Sequence, residues 1–201
     1  PEYLILAVGI NGVSFMDEEE FKADYRDLVS DIKEITLIKK SVDARKKSDI
    51  CFVLSVNISV KNETEVLRKN KSNKNVSYIK KEKYLLPKTA TLSKRPVVVG
   101  FGPAGMFAAL YLAQCGVKPI VLERGLDVDS RTKKVSEFWE KGVLDTECNV
   151  QFGEGGAGTF SDGKLNTGTK DWRMGWMLSQ LHAHGAAESV LYDAKPHIGT
   201  D

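Results

Sequence analysis

A short apolar run that leads directly into a glycine-rich turn constrains the fold of this chain most. Residues 97–99 are three valines, and the turn after them has the GxGxxG spacing of Gly100, Gly102 and Gly105. A helix-compatible stretch, residues 106–113, and a second apolar run, residues 119–122, follow the turn. Such glycines permit a tight turn, a close approach of the backbone to a diphosphate, and close packing of the helix on the sheet. The pattern predicts a buried parallel strand pair and a dinucleotide-binding turn; a structural turn without a ligand is the alternative.

Glu123 ends the second apolar run, 18 residues after Gly105. A carboxylate about 20 residues after the glycines is the group that accepts ribose hydroxyls in dinucleotide-binding units. A carboxylate at this position also repels a 2′-phosphate. We therefore expect the adenosine of FAD or NAD rather than that of NADP.

A second glycine-rich stretch follows, in which five of the eleven positions 153–163 are glycine. This content excludes a stable helix or a central strand. Because Phe152, Phe160 and Leu165 punctuate the stretch, it differs from a linker, and we predict a structured loop whose amides form an anion-binding nest. An ordered surface loop or a hinge is the alternative.

The first half of the chain has a different composition. Only 2 of the 17 glycines precede Pro96, and residues 1–95 hold 19 Lys and Arg against 14 Asp and Glu. We predict a small basic domain over residues 1–86, a linker over 87–95 and a nucleotide-binding domain over 96–201. The apolar patterns predict strands and helices in the order β-α-β-β-α-β, the ferredoxin-like α+β arrangement, over residues 3–8, 17–29, 35–38, 50–58, 62–69 and 76–79.

The densest basic run is expected in a hairpin loop of that first domain, and its cations are Lys39, Lys40, Arg45, Lys46 and Lys47. One interpretation is a patch that binds RNA, a phosphorylated ligand or an acidic protein partner. The other is a solvated loop and strand edge, where lysine prevents edge-to-edge pairing.

Three segments together carry a resemblance to a family: the glycine turn at 100–105, the sequence Leu-Glu-Arg-Gly at 122–125, and the loop at 155–164. They resemble the flavoproteins with two dinucleotide-binding domains, and above all the bacterial proteins called NAD(FAD)-utilising dehydrogenases. The resemblance covers nearly the whole chain, including the small basic domain. It implies the first part of a Rossmann-like FAD-binding domain in an FAD-dependent oxidoreductase, with NAD(P)H as a candidate electron donor.

The resemblance also implies roles for individual residues. The three glycines of the turn, with the amides of Pro103 and Ala104, would hold the FAD pyrophosphate, and Glu123 would bind the ribose. Arg124 would flank the adenine, and Arg131 would contact a phosphate. The second loop would approach the ribityl chain and flavin through Gly155, Gly156, Ala157, Gly158, Thr159, Ser161, Asp162 and Lys164. Flavoproteins of this type are much longer, so we expect the chain to be the first part of a longer polypeptide, inactive alone. An NAD-binding dehydrogenase domain is an alternative.

Other residue types give weaker signals. The three cysteines, Cys51, Cys115 and Cys148, are widely spaced, which disfavours a disulfide scaffold or a zinc site and favours a cytoplasmic location. No apolar run reaches the ~18 residues that cross a bilayer. We predict no metal site, and we assign no catalytic residue, substrate or oligomeric state.

Overall fold

The structure is a computed structural model that describes residues 3–11, 32–48, 50–79, 92–165, 171 and 173–198. The chain forms two compact units. The first comprises Pro1–Lys83 with Gly168–Pro196, and the second comprises Tyr84–Thr167 with His197–Asp201. Along the chain the strands and helices are β1 Tyr3–Asn11, β2 Ile32–Asp43, β3 Cys51–Val60, α1 Glu63–Lys69, β4 Val76–Ile79, β5 Val97–Val99, α2 Pro103–Gln114, β6 Ile120–Leu122, α3 Val128–Lys141 and α4 Met174–Ala183.

The first unit contains a four-stranded antiparallel sheet with the strand order β2-β3-β1-β4. Strands β2 and β3 form a hairpin, and α1 connects β3 to β4 across the intervening β1. This is the connectivity that a β-α-β-β-α-β order produces when each helical connection skips one strand. The helix predicted over residues 17–29 lies outside the described residues, and the ferredoxin-like assignment stays a prediction.

The core of the first unit lies on one face of β3. Val56, Ile58 and Val60 alternate along the strand and are buried, and they pack with Ile35 of β2. Helix α1 adds Val66 and Leu67 to this cluster. The period of two explains the arrangement, because alternate side chains of a strand point to the same face.

The basic run of residues 39–47 was predicted as a hairpin loop. This prediction is wrong for the first part of the run. Strand β2 continues to Asp43 and pairs with β3, with Lys39 opposite Ser55 and Lys40 opposite Leu54. A register shift between Leu37 and Lys39 interrupts the ladder. Main-chain pairing with β3 therefore extends β2 through residues whose charge had indicated a loop.

Residues near the C-terminal end of the chain extend the same sheet. The Lys40 amide donates to the Tyr192 carbonyl at 2.7 Å, and the Ala194 amide donates to the Lys40 carbonyl at 2.9 Å. The segment around Asp193 thus forms a parallel bridge on the outer edge of β2. Because of this pairing, helix α4 and the segment after it belong to the first unit. The sequence had predicted them to lie in the nucleotide-binding domain of residues 96–201.

The second unit is built on a parallel pair, β5 and β6, connected by helix α2. Helix α3 follows, with the Asp127 side chain accepting a hydrogen bond from the Ser130 amide at its start and Gly142 in the left-handed region at its end. The strand–turn–helix–strand order is the predicted one. The predicted burial of the strands is wrong for the described part of the chain, because Val99 is 82% exposed and Leu122 is 53% exposed. Among the described residues no third strand pairs with β5 or β6, and a parallel pair without further strands leaves such residues uncovered.

Within the described residues, no helix combines the length and the hydropathy that crossing a membrane requires.

We expect Ile58→Ala to lower the free energy of unfolding by about 2–5 kcal/mol, because it empties a fully buried site in the core of the first unit. The matched control is Ile38→Ala, since Ile38 of β2 is 40% exposed, and it should cost less than about 1 kcal/mol. Urea unfolding of both variants measures the difference. Equal losses would contradict this location of the core.

Candidate nucleotide-binding site

A cavity of about 550 Å³ lies in the second unit where strands β5 and β6 end. Ligands of parallel α/β sheets bind in the crevice outside the carboxyl ends of the strands, and the volume lies in the range of small-molecule sites. Five of the residues that the sequence predicted for the site line this cavity, namely Gly100, Gly102, Glu123, Arg124 and Gly156.

The Glu123 carboxylate accepts hydrogen bonds from three separate parts of the chain. The Phe101 amide donates to Oε2 at 2.6 Å, the Gly125 amide donates to Oε1 at 3.0 Å, and the Gly153 amide donates to Oε1 at 3.1 Å. The hydrogen bond from Gly125, followed by those from Phe101 and Gly153, holds the pKa of Glu123 below its ordinary value against the opposing effect of burial. Glu123 is therefore a charged acceptor that joins both glycine-rich segments.

These bonds limit what Glu123 offers to a ligand. A carboxylate has about four acceptor positions, and the three amides occupy two on Oε1 and one on Oε2. The Arg124 amide also donates toward this carboxylate, so at most one position remains for a hydroxyl of a ligand. The sequence predicted the ligand contact but gave no indication of the structural one.

The glycines of the first turn meet different constraints. A Cβ on Gly105 would overlap the carbonyl oxygen of Gly100 and lie 3.5 Å from Cγ1 of Val98, so Gly105 is required where the helix approaches the strand. A Cβ on Gly102 would lie 3.6 Å from the nearest atom, Cα of Gly156, which is an ordinary contact. The φ of Gly102 is −77°, which other residues adopt. Contacts within the described protein therefore do not explain why residue 102 is glycine.

Helix α2 presents its N-terminus at this turn. Its N-cap is Gly102, no side chain of the described residues caps it, and its first turn contains no acid. The first intrahelical bond runs from the Met106 amide to the Gly102 carbonyl, so the amides of Ala104 and Gly105 have no acceptor within the helix. They lie at the positive end of the helix dipole, which favours an anion.

The role predicted for Pro103 is wrong. Proline has no N–H, so the Pro103 amide donates no hydrogen bond to a pyrophosphate. Pro103 is the first residue of α2, where its fixed φ suits the start of a helix. The donors available at this end are the amides of Ala104 and Gly105.

The second glycine-rich loop packs directly on the first turn. The Gly155 amide donates to the Phe101 carbonyl at 2.9 Å, and a Cβ on Gly156 would lie only 2.9 Å from Cα of Gly102. The amides of Glu154 and Gly156 donate to the carbonyls of Leu126 and Gly153. The anion-binding nest predicted for this loop is therefore wrong for residues 153–156, whose amides already donate to protein acceptors.

The hydroxyl and charged side chains predicted from this loop form hydrogen bonds or ion pairs with other residues of the loop. The Thr159 hydroxyl donates to the Glu154 carbonyl at 3.2 Å, and the Ser161 hydroxyl donates to the Gly158 carbonyl at 2.7 Å. Asp162 and Lys164 form an exposed ion pair. Gly155, Ala157 and Gly158 lie in or beside a 3₁₀ turn over Gly156–Gly158. These residues do not line the cavity described above.

Arg131 is fully buried, at 0% exposure, and holds the second loop from inside. Its Nε donates to the Asn149 carbonyl at 2.9 Å, and Nη1 donates to the Glu154 carbonyl at 2.6 Å and to the Thr159 hydroxyl at 3.3 Å. Its guanidinium carbon lies 4.9 Å from the centre of the Phe160 ring. Burial lowers the pKa of Arg131. A side chain with no exposed surface does not reach a phosphate in this conformation, so the structure supports a positioning role instead of the predicted phosphate contact.

Several residues in or beside the cavity, among them Phe152 in its lining and Glu147 next to it, were not among the predicted site residues. Phe152 lines the cavity, and the Arg124 guanidinium carbon lies 4.6 Å from the centre of its ring. Glu147 accepts two hydrogen bonds from Arg124. Phe152 gave a signal as a large apolar residue at the start of the glycine-rich loop, whereas Glu147 gave none.

A larger cavity, of about 700 Å³, lies in the first unit around the end of β3 and the start of α1. Its charged lining is mixed, with Lys33, Lys61 and Arg68 beside Glu63 and Glu65. It contains none of the predicted site residues, and its charges do not select one sign of ligand. The smaller cavity is therefore the candidate site.

The basic hairpin of the first unit has a reduced free charge. Arg45 pairs with Asp43 through two nitrogens, and the Lys40 ammonium lies 4.7 Å from the centre of the Phe52 ring. Lys39, Lys46 and Lys47 are exposed. Binding of RNA or an acidic partner stays an alternative prediction for this surface.

The histidines and cysteines form no metal cluster in the part of the chain that the structure describes. His182 and His184 each place Nδ1 within 2.9 Å of a backbone carbonyl near the end of α4. The backbone of His197 forms an isolated antiparallel β-bridge with that of Lys164.

Comparison with known proteins gives two matches. Residues 27–59, which include β2 and most of β3, match a family described as a domain of unknown function, DUF8436. A protein from Clostridium beijerinckii, described as uncharacterized, is 51% identical over 173 residues, which are 85% of this chain and 32% of that protein. The chain thus spans about a third of the length of this relative.

We expect the stabilising effect of Glu123 to depend on pH. Because its pKa is lowered in the folded chain, its contribution is complete above the unfolded value of about 4.3 and is lost as the pH falls through the folded value. Glu123→Gln should cost about 1–3 kcal/mol at neutral pH, and the difference from wild type should shrink in acid. Urea unfolding across pH measures this. Glu140→Gln, on the exposed side of α3, is the control, and a pH-independent loss in Glu123→Gln would contradict the role.

We expect Arg131→Lys to release the second glycine loop. Lysine keeps the charge but lacks the forked guanidinium that reaches both carbonyls. Loss of a hydrogen bond to a charged donor should raise the equilibrium constant for local opening of the loop by about tenfold or more. Hydrogen exchange of the Gly153 and Gly155 amides should accelerate accordingly. The Gly142 amide, bonded to Phe138 at the end of the same helix, should exchange at the wild-type rate. Unchanged protection in the loop would show that Arg131 does not position it.

Proposed function

We propose that the second unit binds the adenosine diphosphate portion of FAD, and that the chain forms part of an FAD-dependent oxidoreductase. The proposal rests above all on Gly102, which lines the cavity at the uncapped start of α2 and where a Cβ would make only an ordinary contact with the described residues. A ligand that approaches the backbone too closely for a Cβ would explain this residue.

The surrounding groups suit the parts of such a ligand. The free amides of Ala104 and Gly105 and the helix dipole favour the diphosphate. The negative charge of Glu123 suits a ribose hydroxyl as donor. The Arg124 guanidinium and the Phe152 ring, which lie together at the cavity wall, suit the adenine ring. The flavin supplies the redox chemistry when it is bound, while these residues bind and orient its nucleotide end.

The second loop would act by shaping the site, not by donating its first amides. Its contact with Gly102 and its bond to Glu123 hold the cavity wall in place. A rigid wall lowers the entropic cost of ordering a ligand. The electron donor, the substrate and a cytoplasmic location stay predictions.

The first test is the absorption spectrum of the protein purified as its gene encodes it, with FAD added. We expect the visible bands of a bound flavin, and we expect ADP to compete with FAD for the site. Binding of ADP without flavin bands would favour the NAD-binding alternative. If the protein binds neither FAD nor ADP, the proposal is overturned.

The sharper test compares alanine substitutions at three glycines. Gly102→Ala should lower the free energy of unfolding by about 1 kcal/mol or less, because its Cβ has room among the described residues and only the N-cap preference for glycine is lost. It should nevertheless lower the ADP affinity about tenfold or more by occupying the ligand's space. Gly105→Ala should destabilise the second unit, since its Cβ overlaps the Gly100 carbonyl. Gly175→Ala in α4, with open space around it, is the control for both. Wild-type affinity in Gly102→Ala would contradict the proposed position of the diphosphate.

A further inference from the structure

Arg124 and Glu147 form a two-point pair beside the cavity. Arg124 Nε donates to one oxygen of Glu147 at 2.7 Å, and Nη2 donates to the other oxygen at 2.9 Å. One face of the guanidinium lies against the Phe152 ring. The pair raises the pKa of Arg124 and lowers that of Glu147, so both groups stay charged near neutral pH.

This geometry occupies the Nε–Nη2 edge of Arg124, one of the two edges through which a guanidinium can bind a phosphate. The parallel N–H groups of a guanidinium bind carboxylate and phosphate in the same two-point manner. In dinucleotide-binding units, an arginine near the acidic residue is the group that accommodates a 2′-phosphate. Arg124 directly follows Glu123 and lines the same cavity, so it has the type and the place for that task, but Glu147 already fills its edge.

The charges around the ribose side of the cavity point in the same direction. Glu123 and Glu147 carry two negative charges, and Arg124 carries one positive charge. A 2′-phosphate placed there would meet a net negative surface, and it would have to displace Glu147 before it could use the Nε–Nη2 edge of Arg124. A free 2′-hydroxyl meets no such obstacle, since it can donate to Glu123.

We propose that Glu147 is a specificity-determining residue, which makes the cavity accept adenosine nucleotides with a free 2′-hydroxyl and reject those with a 2′-phosphate. This inference rests on the proposed nucleotide function of the site. It assigns the discrimination to an ion pair outside the glycine motif, in addition to the repulsion from Glu123. Exposed ion pairs are individually weak, so Glu147 acts by occupying the binding edge of Arg124 and not by its contribution to stability.

The experiment compares two probes, ADP and the same nucleotide carrying a 2′-phosphate, by titration calorimetry at one salt concentration on the protein as its gene encodes it. Wild type should prefer ADP by about tenfold or more. Glu147→Gln should bind ADP within about twofold of wild type and shift the preference toward the 2′-phosphorylated probe by about tenfold. The shift should disappear in the double variant Glu147→Gln with Arg124→Gln, because the gain requires the released guanidinium.

Glu140→Gln is the matched control, since it removes the same charge from an exposed position on α3 outside the cavity lining. If Glu140→Gln shifts the preference between the two probes equally, the effect is due to net charge alone and the inference is overturned. An unchanged preference in Glu147→Gln would also overturn the inference. If wild type and Glu147→Gln still bind ADP in that case, the proposed function is not affected. If wild type binds neither probe, the proposed function itself fails and the inference falls with it.

Discussion

The three amide hydrogen bonds to Glu123 are the interaction on which the second unit depends. They join the turn after β5, the residue that follows β6 and the second glycine-rich loop to one carboxylate. Hydrogen bonds to a charged acceptor are roughly twice as strong as those between neutral groups. A charged group placed at the end of β6 thus organises the ends of both strands, and the cavity exists because these segments are held around it.

Arg131 complements this arrangement from the other side of the second loop. Its guanidinium binds the carbonyls of Asn149 and Glu154, while the Gly153 amide points to Glu123. A buried cation that binds only neutral acceptors is costly to desolvate, and the attraction of Glu123 partly offsets this cost. The loop backbone is therefore oriented by a cation on one side and an anion on the other, which leaves helix α2 as the source of free amides for the proposed diphosphate.

The sequence predicted those features that depend on local pattern. Glycine spacing and apolar runs predicted β5, α2 and β6, and a run rich in β-branched residues predicted the strand that contains Ile58. Features that depend on distant partners were missed. The pairing of β2 with β3 overrides the charge of Lys39 and Lys40, and the bridge to Asp193 brings a late segment to the first unit. Glu147 meets Arg124 from 23 residues away, a distance over which spacing gives no signal.

A glycine motif read from sequence combines positions with different physical causes, and the structure separates them here. Gly105 is explained by the carbonyl of Gly100, and Gly156 is explained by Gly102 and Pro103. Gly102 has neither a crowded Cβ position nor a positive φ. Gly102 is the N-cap of α2, a position where glycine is favoured over alanine. The anion proposed above would add a second reason for glycine there, since the surrounding amides favour a closely approaching anion.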